Sequence, residues 1–327
     1  MRELISWQKV LNHDPKVFLL SSLDPAVNFF ANKIFQFSKE DPKEILWNLP
    51  AAIKIIEKQD NDGSRRYRGN RPGDAYGEKY ELLETWRALR ILVEKFGYDQ
   101  RHFAIKRAVD QIFTYQTDEG DIRGILSNQY TPYYMGAMLE TIIHAGYIQD
   151  DRVLKGFDWL ESMQQIGGGW IIPMSMYKMS DYYGLCQNDP IPPNRNLLFS
   201  HTATGMVMRA YAAHPRFRHS DTAWKTGDII KKRFFRKDTF TSRQAPSYWT
   251  KFQYPFWWTD LVSVMDSLQK IGFQANDEDI QKAIRWFIIN QNENGSWNAS
   301  YGGKNDHADE WVTLAVCRIL MGFFEGE

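Results

Sequence analysis

The chain has 327 residues, 40 Lys+Arg against 40 Asp+Glu for a formal net charge of zero, two cysteines, and 12 Trp, 16 Tyr and 20 Phe. Charge balance removes the long-range attraction on which nucleic-acid binding depends, so no nucleic-acid partner is expected. Cys186 and Cys317 stand in no CxxC or CxxH arrangement, which excludes a disulfide scaffold, and no apolar run approaches the roughly 20 residues of a membrane helix, so the expectation is a soluble cytoplasmic protein with at most peripheral membrane contact.

In chain order, periodicity predicts an amphipathic helix near Glu3, an apolar one from Asp24, an amphipathic one near Lys43 and an apolar one from about Tyr76. In that fourth helix Leu82, Leu83, Trp86, Leu89, Arg90 and Val93 form a broad stripe. The alternation continues with amphipathic helices from Arg101, Asp151, Thr222 and Asp277, interleaved with apolar ones from Thr131, Leu197, Phe256 and Ala308. Strand-like alternation is nearly absent. No linker divides the array, so residues 1–327 read as one domain. DPIPPN at Asp189–Asn194 and the segment Arg236–Pro255 read as long loops between helices, where function tends to sit.

A repeat underlies this alternation. Apolar helices end at Gly97-Tyr98, Gly146-Tyr147 and Gly272-Phe273, the glycine filling the left-handed position beyond the cap. At nearly the same distance beyond each glycine comes a glutamine, then a second glycine four residues on: Gln116/Gly120, Gln164/Gly168 and Gln291/Gly295, with Gln59/Gly63 as an earlier copy. Pro215 stands where a further stop glycine would. A helical hairpin repeat buries its apolar face only against its neighbours, so the array either stays open with caps or closes on itself.

Two copies are nearly complete: Lys155-Gly156-Phe157 through Gln164, Gly168 and Trp170, and Lys282-Ala283-Ile284 through Gln291, Gly295 and Trp297. They resemble the QW motif of squalene-hopene and oxidosqualene cyclases. The resemblance covers most of the chain and implies an all-α fold, the (α/α)6 toroid of six helical hairpins shared by triterpene cyclases, class II diterpene cyclases and protein prenyltransferase β subunits. The apolar helices would form its inner ring, and those of residues 1–40 would complete it. A Gln amide both donates and accepts, and a Trp indole donates, so Gln164, Trp170, Gln291 and Trp297 are expected to fasten helices together rather than do chemistry.

The resemblance also implies a ligand funnel between the inner helices. Aromatic residues gather at their starts: Tyr76 and Tyr80, Tyr133 and Tyr134, Phe199, Phe256, Trp257, Trp258 and Trp311, with Tyr182 and Tyr183 in a loop. Such rings suit an extended apolar chain, and their faces stabilise carbocations. The DxDD acid of the cyclases is missing. By position Asp260 in YPFWWTD is the first choice for a proton donor, with helix-dipole complementation as its other reading, and Asp181 and His201 rank behind it. The Asp-x-Cys zinc spacing of the prenyltransferases is also missing around Asp181, Cys186, Asp189 and His307, so no cofactor is expected, with zinc or magnesium as the alternative. Arg65, Arg66 and Arg68, in GSRRYRGNRP, match the geometry of a diphosphate holder or form a solvated loop paired with Asp60 and Asp62.

The expectation is therefore a prenyltransferase- or cyclase-like protein that binds an isoprenoid or other apolar small molecule in an aromatic-lined cavity and, as an enzyme, cyclises it by protonation. A non-catalytic lipid or peptide binder on the same scaffold is one alternative, and a carbohydrate-active (α/α)6 enzyme with paired carboxylates is the other.

Overall fold

The computed structural model describes residues 7–35, 41–66, 79–178, 181–239, 243–303 and 306–325. Among them no strand forms. The helices, in chain order, are α1 (Lys16–Leu20), α2 (Pro25–Ile34), α3 (Pro50–Ile56), α4 (Tyr80–Phe96), α5 (Phe103–Phe113), α6 (Pro132–His144), α7 (Asp151–Ser162), α8 (Tyr182–Gln187), α9 (His201–Ala213), α10 (Asp221–Lys231), α11 (Leu261–Ile271), α12 (Glu278–Ile289) and α13 (Ala308–Glu325).

The packing order makes the fold an all-α toroid. Helix α4 packs on α6, α6 on α9, α9 on α11, α11 on α13 and α13 on α2, and α2 returns to α4. These inner helices are the apolar ones of the sequence. In α6 every residue from Pro132 to Ile143 except Tyr134 is buried, and in α9 every residue from His201 to Ala212, as a helix surrounded by neighbours requires. Gly136 explains how closely α6 and α9 approach: a Cβ there would lie 2.5 Å from Val207 Cα. Outside, α5 packs on α4, α7 on α6, α10 on α9 and α11, and α1 on α2 and α13.

Most predicted helix starts carry the caps that the residue types call for. Asp24, Asp150, Ser200, Ser220, Asp260 and Asp277 each accept a backbone N–H of the first turn, and Gly97 and Gly272 take φ of 62° and 110° beyond the last turn of α4 and α11. Three expectations shift. The helix expected near Lys43 divides into a 3-10 turn, Lys43–Asn48, and α3, because Leu49 is extended ahead of Pro50. The helix expected from Leu197 begins at His201. The helix expected from Phe256 begins at Leu261, so Phe256, Trp257 and Trp258 lie in the loop before α11. Two buried arginines hold that loop against the ring interior. Arg90 of α4 donates to the Phe256 carbonyl at 2.7 Å, and Arg209 of α9 donates to that of Trp257 at 3.4 Å.

The glutamine turns share one bonding scheme. Gln59 Nε2 donates to its own Gly63 carbonyl and to Ala104 of α5, Gln116 Nε2 to Gly120 and to Arg152 of α7, and Gln291 Nε2 to Gly295 and to His13. Each glutamine therefore ties the end of one outer helix to the segment that opens the next. The turn at Gln164 keeps the backbone pattern, but the neighbouring Gln165 makes the side-chain bonds, to the Asn194 and Leu197 carbonyls. The segment that follows α7 is the long loop rather than an outer helix. Trp170 and Trp297 donate their indole N–H to Leu160 and Phe287, and their backbone N–H to the hydroxyls of Thr204 and Thr313 on inner helices.

Candidate functional site

One enclosed space lies at the C-terminal ends of the inner helices, away from the aromatic cluster at their starts. It is a cavity of about 510 Å³ whose walls include Glu94 of α4, Glu140 and His144 of α6, Asp266 and Lys270 of α11, and Arg318 of α13. Phe30, Tyr254, Phe256, Ala315 and Met321 supply its apolar surface.

Most of the wall's charges are paired. His144 Nδ1 lies 2.7 Å from Glu94 Oε1, Lys270 Nζ 2.7 Å from Asp266 Oδ2, and Arg209 Nε 3.1 Å from Glu140 Oε2. Burial and pairing act against each other here. Burial disfavours the Glu94 carboxylate, but the adjoining imidazolium overcomes it and brings Glu94 below the usual carboxylate range, while Glu94 in turn raises His144 against its own burial. At Glu140 desolvation wins over the Arg209 guanidinium, so its carboxyl titrates above the ordinary value. One cavity thus holds an ionised carboxylate and a carboxyl biased toward its neutral form, the separation that acid–base chemistry uses. Arg318 and Lys33 have no acidic partner within 4 Å among the described residues; they lie over the Phe30 and Phe29 rings, each 4.5 Å from the centroid.

The aromatic residues picked out in the sequence come together only in part. Tyr133, Tyr134, Trp257 and Trp258 form one cluster with Trp86, their centroids 4.4 to 6.5 Å apart. Cations already occupy ring faces in it: Arg90 lies 4.5 Å from the Trp257 centroid and Arg87 5.0 Å, and Arg243 lies 5.1 Å from Trp258. Phe256 reaches the central cavity. Trp311 is fully buried behind it, stacked on Tyr254 and donating to Asp24 Oδ2. Tyr80 opens α4 half-buried, and Phe199 packs at the Gly169 turn. Tyr76 and Arg68 lie outside the described residues, as do the side chains of Tyr182 and Tyr183 on α8.

Asp260 sits at the N-cap of α11. Its Oδ1 accepts the Ser263 N–H at 2.8 Å while the Ser263 hydroxyl receives the Asp260 N–H, a complete capping box, and burial pushes the carboxyl up to about 7. It does not line the central cavity. His201 is buried over Trp249 with its Nδ1 3.8 Å from Asp238, and burial pushes it down to about 4, so it is neutral. Asp238, which the sequence did not single out, accepts the Ser200 hydroxyl and the His201 and Thr202 amides at the start of α9. Asp181 is exposed at the start of α8. Arg66 pairs with Asp60 in solvent, and Arg65 donates its backbone N–H to Thr85. His307 pairs with Glu310, and among the described residues no three His, Cys, Asp or Glu side chains are grouped to hold a metal ion. No described helix is long and apolar enough to cross a membrane.

Glu140 and Arg209 have a signal in the sequence. Each is a lone charge in an otherwise apolar helix, MGAMLETIIH and GMVMRAYAA.

No family model and no curated protein matches the chain. Solved structures do. A variant of the type II terpene cyclase MstE from Scytonema, in complex with geranylgeranyl dihydroxybenzoate, shares 15% identity at a TM-score of 0.46, over 98% of this chain and 88% of that one. A novel alpha-amylase from Clostridium perfringens shares 11% at 0.43, over 84% and 79%, and a protein from Actinoplanes 15% at 0.42, over 86% and 87%. Likeness at this level carries no statement about activity.

Proposed function

We propose that this toroid binds an isoprenoid-type substrate in its central cavity and isomerises it by proton transfer, with Glu140 as the donor. The observation that carries this reading is Glu140, backed by Arg209, on the wall of a cavity whose remaining charges are largely neutralised by one another. Burial biases the Glu140 carboxyl toward its protonated form, and Arg209 stabilises the carboxylate left after donation, the two demands made of an acid that must protonate a weak base. The donor role moves to Glu140 from Asp260, whose oxygen is committed to capping α11.

The step balances within the substrate. The Glu140 O–H proton adds to one alkene carbon through that alkene's π electrons, and the cation left on the other carbon is closed by the π electrons of the next alkene. The final cation loses a proton that restores the Glu140 carboxyl. The Tyr254 and Phe256 rings on the cavity wall offer negative faces without a strong nucleophile. Mass spectrometry of small molecules extracted from the purified protein, with incubation on farnesyl, geranylgeranyl and squalene substrates, tests the reading. A cyclised product supports it, a bound lipid without turnover selects a non-catalytic binder in its place, and the absence of both product and bound lipid overturns it.

A second reading is favoured by one observation, the opposite shifts of the Glu94 and Glu140 carboxyls in one cavity, which is what an acid and a base on either side of a glycosidic bond require. Release of reducing ends from a polysaccharide panel would put this reading first.

A further inference from the structure

A second cavity of about 550 Å³ lies between α2, α4 and α13, with Asp24, Ile91, Lys95 and Ala308 among its walls. This is the loosest junction of the inner ring, since α2 and α4 share fewer contacts than the other neighbouring inner helices. Among the described residues, the central cavity and this one have a single lining residue in common, Tyr254, in the loop before α11. Packing holds its ring, and its hydroxyl bonds Arg318 of α13. The ring stacks on Trp311 at 5.5 Å and 8°, meets Phe256 edge-on at 5.3 Å, and its hydroxyl reaches the Glu94 carbonyl only at 3.5 Å, a length at which a hydrogen bond contributes little. Trp311 behind it is fixed independently by its bond to Asp24.

The geometry points to Tyr254 as the partition that sets how long a ligand the toroid accepts. This inference rests on the isoprenoid reading of the central cavity. With the ring in place a chain lying in the central cavity ends against it. With the ring removed the two spaces join, and the apolar chain continues past Trp311 toward the junction of α2 and α4.

The test is the affinity of the full chain for geraniol, farnesol and geranylgeraniol, measured by calorimetry for the wild type, Tyr254→Ala and Tyr254→Phe. Tyr254→Ala is expected to shift preference toward geranylgeraniol by about tenfold or more relative to farnesol, and Tyr254→Phe to keep the wild-type order. Tyr254→Leu replaces the alanine variant if that protein fails to fold, with a shift in the same direction. An unchanged order with the ring removed overturns the partition alone. No binding of any prenol by wild type and variants overturns it together with the functional reading.

Discussion

Gln291 and His13 are joined by a reciprocal pair of hydrogen bonds. The Gln291 amide donates to the His13 carbonyl at 2.7 Å, and its oxygen accepts the His13 N–H at 3.0 Å. The end of α12 thereby grips the segment before α1, and Asn12 adds a bond to the Ile288 carbonyl. Gln59 and Gln116 make the equivalent links between successive outer helices inside the chain. At Gln291 the same device ties the last repeat to the first.

Because this contact links residues far apart in sequence, Gln291→Ala should cost about 1–3 kcal/mol, from three side-chain bonds worth about 1 kcal/mol each. Chemical denaturation measures that loss. Limited proteolysis should also release the N-terminal segment sooner than in the wild type or in Gln116→Ala, and identical cleavage of all three proteins would contradict a closing role.

The inner threonines make a buried test. Thr313 is fully buried and its hydroxyl accepts the Trp297 backbone N–H at 3.0 Å. Thr313→Val keeps the shape and strands that donor, so a loss of about 1–3 kcal/mol is expected, with no change in the ligand preference of the cavity. A melting temperature within error of the wild type would show that the hydroxyl does not satisfy that group.

The His144–Glu94 pair fixes a pH window. His144 titrates above its ordinary value, so its contribution is complete below about pH 6.5 and is lost as pH rises through the folded value. Glu94 titrates below its ordinary value, so its contribution is complete above about pH 4.5 and is lost as pH falls through the folded value. The pair stabilises most between those limits. Unfolding free energy against pH should lose its alkaline decline in His144→Gln, and a variant curve parallel to the wild type would contradict the pairing.

Asp260 has the opposite sign. A carboxyl raised to about 7 in the folded protein is ionised in the unfolded chain at lower pH, so folding is penalised increasingly as pH rises from about 4 toward 7. Asp260→Asn keeps an oxygen for the Ser263 N–H and removes that penalty, so its stability relative to wild type should improve with pH. Asp260→Ala loses the cap, at about 1 kcal/mol. Loss of product in a folded Asp260→Asn protein would return the donor role to Asp260.

What was legible in the sequence followed from local rules. Stop glycines, caps and the Gln–Gly spacing report backbone positions that only certain residues satisfy, and they located the helices and turns of a toroid. The site was less legible because it is made across the ring: Glu94, Glu140, His144 and Lys270 come from three helices, and nothing in their spacing brings them together. Phe256, Trp257 and Trp258 misled for a related reason. Their apolar character marked them as interior, but Arg90 and Arg209, distant in sequence, bind their carbonyls and hold them in a loop rather than a helix.

Proton donation by Glu140 is read out by product formation from a geranylgeranyl substrate in deuterated water by wild type and Glu140→Gln. A cyclised product carrying solvent deuterium is expected from the wild type, and a rate at least about 100-fold lower from a folded Glu140→Gln protein that still binds the substrate. Equal rates in the two proteins, or a cyclised product free of solvent deuterium, would contradict it.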